Sequence, residues 1–138
     1  MNKKRLRQYR ALIRERPKIE KQLKRLYEQL DNVPEVMGKV TKSSKDFPYI
    51  EEHVTVRMDE PEESTRIKER IRIQEAKLDF VKKDIVAIEQ FIASIQDSTD
   101  RQIFEMYFID GEKQADVADE VGYAQGRISQ RIAKYLKD

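Results

Sequence analysis

VADEVGYAQGRISQRI, residues 117–132, decides how this chain reads. Val117, Ala118 and Val121 repeat at the spacing of one helical face, Gly122 follows at once, and Ile128 and Ile132 recur one turn apart. Glycine enters the left-handed backbone region that closes a helix without the steric cost of a side chain. The pattern therefore predicts a helix, a tight turn at Gly122 and a second helix, with the small Ala118 letting the two cross closely. At about 100° per residue, Ile128, Ile132, Tyr135 and Leu136 fall on one side of the second helix. Arg127, Gln130, Arg131, Lys134 and Lys137 fall on the other.

Immediately upstream, Asp97 or Ser98 is placed to cap a short helix, since a side-chain oxygen there accepts from the first free amides. Ile103, Phe104, Tyr107 and Phe108 give that helix an apolar face, and Asp110-Gly111 ends it. A helix over residues 113–121 would bury Ala115, Val117, Ala118 and Val121, and Tyr123 with Ile128 would close a small core. Residues 97–138 thus read as a three-helix module carrying a helix-turn-helix.

A helix presented this way suits the major groove of DNA, which recognition helices enter by their amino-terminal turns. Gln125, Arg127, Gln130 and Arg131 are placed to reach base edges, where Arg pairs with guanine and Gln with adenine. Ser129 belongs to the same candidate set. Lys134 and Lys137 lie later and suit phosphates, which set position without reading sequence. The plainer alternative is a three-helix bundle with a solvated basic face.

The stretch DSTDRQIFEMYFIDGEKQADVADEVGYAQGRISQRIAKYL resembles region 4 of the sigma-70 family, the part that reads an upstream promoter element. With its helical start and the segment SSKDFPYIEEHVTV, the whole chain resembles small phage regulators of the ArpU and RinA type. The resemblance implies a phage or prophage regulator of late genes that binds promoter DNA. The chain departs from that pattern in three ways. Ala124 stands where Ser or Thr usually caps the recognition helix, and the preceding helices are acidic. No core-binding, promoter-melting region is expected upstream, so an activator or accessory factor fits better than a complete sigma factor.

Further out lies a helical arm. Ile19, Leu23, Leu26, Leu30 and Val33 alternate steps of four and three, the spacing of a narrow coiled-coil seam. Leu6, Tyr9, Leu12 and Ile13 extend it less regularly, with a kink or fresh start expected at Pro17 and an end at Pro34. From Ser64 a second helix keeps the same rhythm through Ile67, Ile71, Gln74, Leu78, Val81, Ile85, Ile88, Ile92 and Ile95. The two seams predict a long antiparallel hairpin, with any uncovered length facing a second copy and Gln74 setting register. A homodimer and a purely intramolecular hairpin both remain open. Between the helices, residues 34–62 carry Gly38, Ser43-Ser44, Pro48 and Pro61 as punctuation. Residues 39–41 and 53–57 have weak strand character and could pair as a β-ribbon. Phe47, Tyr49 and Ile50 call for burial or a partner, so this flap is either folded or an interaction loop. The expectation is a mainly α chain: an arm over residues 1–96 with its flap at 34–62, then the module of 97–138.

Charge is segregated although the net is only +2. Residues 1–30 carry eleven Lys/Arg against three Glu, and residues 122–138 four against one, while 97–121 carry two against eight acids. Basic ends flanking acidic material suit a polyanionic partner. Enzyme chemistry finds little support. Cys is absent, and His53 is the lone His, so no His pair can ligate a metal. Val33 stands where a phosphate loop ending at Gly38-Lys39 would need its first Gly, and Ser43 and Ser44 have no base partner in a nucleophile motif. Glu51-Glu52 and Glu62-Glu63 are neighbours that point apart rather than flank a bond. No cofactor is expected. No stretch approaches the roughly 18 apolar residues of a membrane span, and the basic start is not followed by an apolar run, so the bacterial host's cytoplasm is the expected location. Double-stranded DNA is the leading partner. Two alternatives are a polymerase- or sigma-binding interaction protein and a terminase small-subunit-like packaging protein.

Overall fold

The computed structural model describes the backbone of residues 1–43 and 50–136, and the side chains of residues 1–33 and 62–136. The elements are α1 (Lys3–Arg7), α2 (Tyr9–Ser43), α3 (Ile50–Ala93), α4 (Ser98–Phe104) running on into a π-helical turn (Glu105–Ile109), α5 (Gln114–Val121) and α6 (Gln125–Tyr135). The chain is mainly α, and no strand occurs among the described residues.

Several expected boundaries are overridden. Residues 39–41 lie in α2 and residues 53–57 in α3, so neither forms a strand. The propensity of β-branched residues is a weak, context-dependent preference, and the intrahelical hydrogen-bond ladder outweighs it here. Pro17 and Pro34 sit inside α2, and α3 starts at Ile50 instead of Ser64, with Pro61 in its interior. A proline lacks the N–H donor and so removes one backbone hydrogen bond, while the ladder on either side persists. The break in the first helix falls instead at Gln8, whose amide bonds back to Arg5 and Leu6. Phe47 and Tyr49, the aromatic part of the flap, lie outside the described residues.

Contacts divide the chain into two compact units. The unit Pro17–Asp79 buries Ile19 and Leu23 of α2 and Ile67 and Ile71 of α3. Gln74 interrupts this apolar set: its Oε1 atom is shut off from solvent and accepts no hydrogen bond. It borders a cavity of about 280 Å³ shared with Gln22, Arg25, Leu26, Gln29 and Arg70.

The other unit joins Met1–Arg16 to Phe80–Asp138. Leu6, Tyr9 and Leu12 are buried in it together with Val81, Ile85, Ile88 and Ile92 of α3. Two polar ties hold the amino-terminal residues in place. Arg5 Nε donates to the buried Asp84 carboxylate at 2.7 Å, and the Tyr9 hydroxyl donates to Glu89 at 2.9 Å. Phe104, with 0% of its surface exposed, sits among the rings of Phe91, Phe108 and Tyr135 at 6.1, 5.4 and 5.6 Å. The Asp110 amide bonds to the Glu105 carbonyl, five residues back, and this wider winding closes the helix after Phe108. Ile103, Val117, Ala118, Ile128 and Ile132 complete the core.

Candidate nucleic-acid interface

The Asp97 side chain caps α4 by accepting from the Asp100 amide at 2.9 Å. Gly111, at φ 74°, turns the chain toward α5. A Cβ at Gly111 would come within 1.8 Å of an Arg10 guanidinium nitrogen, so Arg10 lies directly over this turn. At the next turn, Gly122 adopts φ 76°, and its amide and that of Tyr123 both bond to the Ala118 carbonyl. Nothing lies within 4 Å of a Cβ built on Gly122. Glycine is needed there for its backbone angle, not for space.

α6 begins after Ala124, whose extended backbone (φ −69°, ψ 148°) has the shape of a cap without a side-chain acceptor. Ile128 and Ile132 are buried against the module, as Val117 and Ala118 are from α5. Val121 is half-buried, and Ala115, expected inside, is exposed. Ala115 lies two residues from Val117, about 200° around the helix, so the two cannot share a face.

On the outer side of α6, Gln125, Arg127, Ser129, Gln130 and Lys134 are all exposed. The Arg127 guanidinium stacks over the Tyr123 ring, 4.0 Å from its centroid, a cation–π contact that steadies a long side chain at the start of the helix. Lys134 Nζ lies 5.6 Å from the Tyr135 ring. Lys137 is outside the described residues.

Arg131 is not free on this face. Its Nε donates to Asp100 Oδ1 at 2.8 Å, and its Nη2 donates to Asp100 Oδ2. Asp100 is fully buried in the first turn of α4, and the Tyr135 hydroxyl also donates to it. The Arg131 guanidinium and the Tyr135 hydroxyl hold the Asp100 carboxyl below the usual carboxylate range, although burial works against them. Asp100 in turn pushes the Arg131 guanidinium and the Tyr135 phenol above their ordinary values. The arrangement joins α4 to α6 through three polar groups. Nothing local in the sequence marks Asp100 for this: it reads as one more acid near a helix start, thirty-one residues before its partner.

The approach to α5 is acidic. Burial, and then the charges of Glu120, Asp110 and Asp116, push the Glu112 carboxyl up. Its Oε2 is shut off from solvent with no hydrogen-bond partner. Among the described residues, no group of three or more His, Cys, Asp or Glu could hold a metal ion, and no helix is long and apolar enough to cross a membrane. Comparison with protein-family models, with curated proteins and with solved structures finds no match for this chain.

Proposed function

We propose that this protein is a sequence-specific DNA-binding transcriptional regulator in which α5, Gly122 and α6 act as a helix-turn-helix. One observation carries the reading. Gln125, Arg127, Ser129, Gln130 and Lys134 are exposed together on a helix whose opposite side is buried, directly after a left-handed glycine turn. A polar row with guanidinium and amide groups at a helix start matches the donors and acceptors of the major groove. Arg127 is the leading base reader, and Lys134 contacts phosphate. Arg131 acts through Asp100 as a positioning residue that sets the roll of α6. The resemblance to phage regulators extends the proposal to a late-gene activator. In the same proposal, α2 and α3 form an antiparallel coiled-coil-like hairpin that pairs two copies.

Selection of bound sites from random duplex DNA tests the reading directly, and a lack of enrichment at any salt overturns it. On a selected site, Arg127→Ala should cost about 1–3 kcal/mol, whereas Lys134→Ala should weaken all sequences about alike. Unchanged affinity of Arg127→Ala in a shift assay removes Arg127 from the reading set.

The exposed acids Asp110, Asp116 and Glu120, at the approach to α5 and along it, favour a second reading, in which a protein such as host RNA polymerase is the primary partner. Acids at this place repel phosphate and suit a basic polypeptide. Capture of polymerase without DNA, surviving Arg127→Ala, would support that reading over the first.

A further inference from the structure

Arg10 and Arg14 occupy one side of α2 four residues apart, and both are exposed. With Tyr9, Ile13 and Ile109 they line a groove of about 360 Å³. Leu6 and Leu12, which anchor this part of the chain, are buried, and Arg5 is engaged by Asp84. Neither Arg10 nor Arg14 makes an ion pair among the described residues. Like charges four apart on a helix repel.

Arg10 lies over Gly111, the turn that leads into α5. When a helix-turn-helix docks, the helix before the recognition helix crosses the phosphate backbone. The chain here supplies the exposed Asp110, Asp116 and Glu120, whose charges oppose that approach. Arg10 stands at that turn, and Arg14 lines the same groove as Ile109, two residues before it.

We infer that Arg10 and Arg14 form a second DNA contact, a clamp on the sugar-phosphate backbone beside the α5–α6 pair, so that the interface is composite and includes the chain's first helices. This inference rests on the DNA-binding reading above. A guanidinium forks onto phosphate oxygens, and the apolar walls of Ile13 and Ile109 suit a deoxyribose.

Fluorescence anisotropy of the full chain on a selected site and on a mixed-sequence duplex, across a salt series, tests it. Arg10→Gln with Arg14→Gln should weaken both duplexes by the same factor. The slope of log affinity against log salt should become shallower by about 0.9 for each phosphate contact removed. Arg14→Gln alone, which leaves the Gly111 turn untouched, should give half that change, and Arg14→Lys should restore it. Circular dichroism confirms that the variants remain helical. An unchanged slope in a folded variant overturns the inference, as does a loss confined to the selected site. Absence of DNA binding by the unaltered chain overturns the underlying reading as well, and is distinguishable because no variant is then needed.

Discussion

Asp100 is the residue on which the terminal module turns. It is wholly buried, accepts from Arg131 and Tyr135, and has its own amide held by Asp97. Asp100→Asn keeps the shape but removes the charge that two donors face, and should cost about 1–3 kcal/mol at neutral pH in chemical denaturation. Because the folded-state pKa of this carboxyl is lowered, its contribution is present above the unfolded value of about 4 and disappears as pH falls through the folded value. The stability gap between wild type and Asp100→Asn should therefore close in acid. A gap that is constant down to the lowest pH would show that the ionised form is not what stabilises the helices. The same geometry separates two arginines that the sequence places on one face. Arg131→Ala should lower the melting temperature and Arg127→Ala should not. That separation was not legible beforehand, since helical spacing gives direction around an axis but not what a long side chain reaches for.

At the scale of the element, α6 is well specified on its buried side and under-capped at its start. Ala124 has the backbone of a cap and no acceptor, leaving the first amides of the helix without a side-chain partner. Ala124→Ser should stabilise the fold by roughly 0.5–1 kcal/mol, visible as a higher denaturation midpoint. An unchanged midpoint would mean that solvent satisfies those amides equally well. In α3 the weak point is Gln74, whose buried oxygen has no partner within a largely apolar seam. Gln74→Met, close in size and free of that oxygen, should raise the melting temperature, corresponding to about 1 kcal/mol. The reverse result would indicate that Gln74 acquires a partner in the assembled protein. The helical periods of both long elements and a cap at Asp97 or Ser98 were legible, being local or periodic signals. The extension of α2 past Pro34 and of α3 back to Ile50 was not, because single prolines signal a stop more strongly than they enforce one.

For the molecule as a whole, one small α5–α6 pair offers few cationic contacts to a phosphate backbone, and the proposed regulator therefore needs a second source of affinity. Pairing of two copies predicts a light-scattering mass of twice the 16.4 kDa chain, with protection of two half-sites separated by about one or more helical turns of DNA. A single-chain mass retained on DNA would remove the dimer from the proposal. The amino-terminal basic stretch was legible as a charge run, whereas its place in the structure was not. Leu6, Tyr9 and Leu12 insert beside Val81, Ile85 and Ile88, so the first sixteen residues belong to the unit that holds the terminal helices. The sequence by itself determined the mainly helical class, the burial of Ile128 and Ile132 on α6 and the turn at Gly122, since these depend on residues within a few positions of one another. Only the tertiary structure decided that Arg131 turns inward to Asp100 and that Arg10 lies over Gly111. Those contacts join residues 31 and 101 positions apart, and periodicity carries no information about which distant group a side chain will meet.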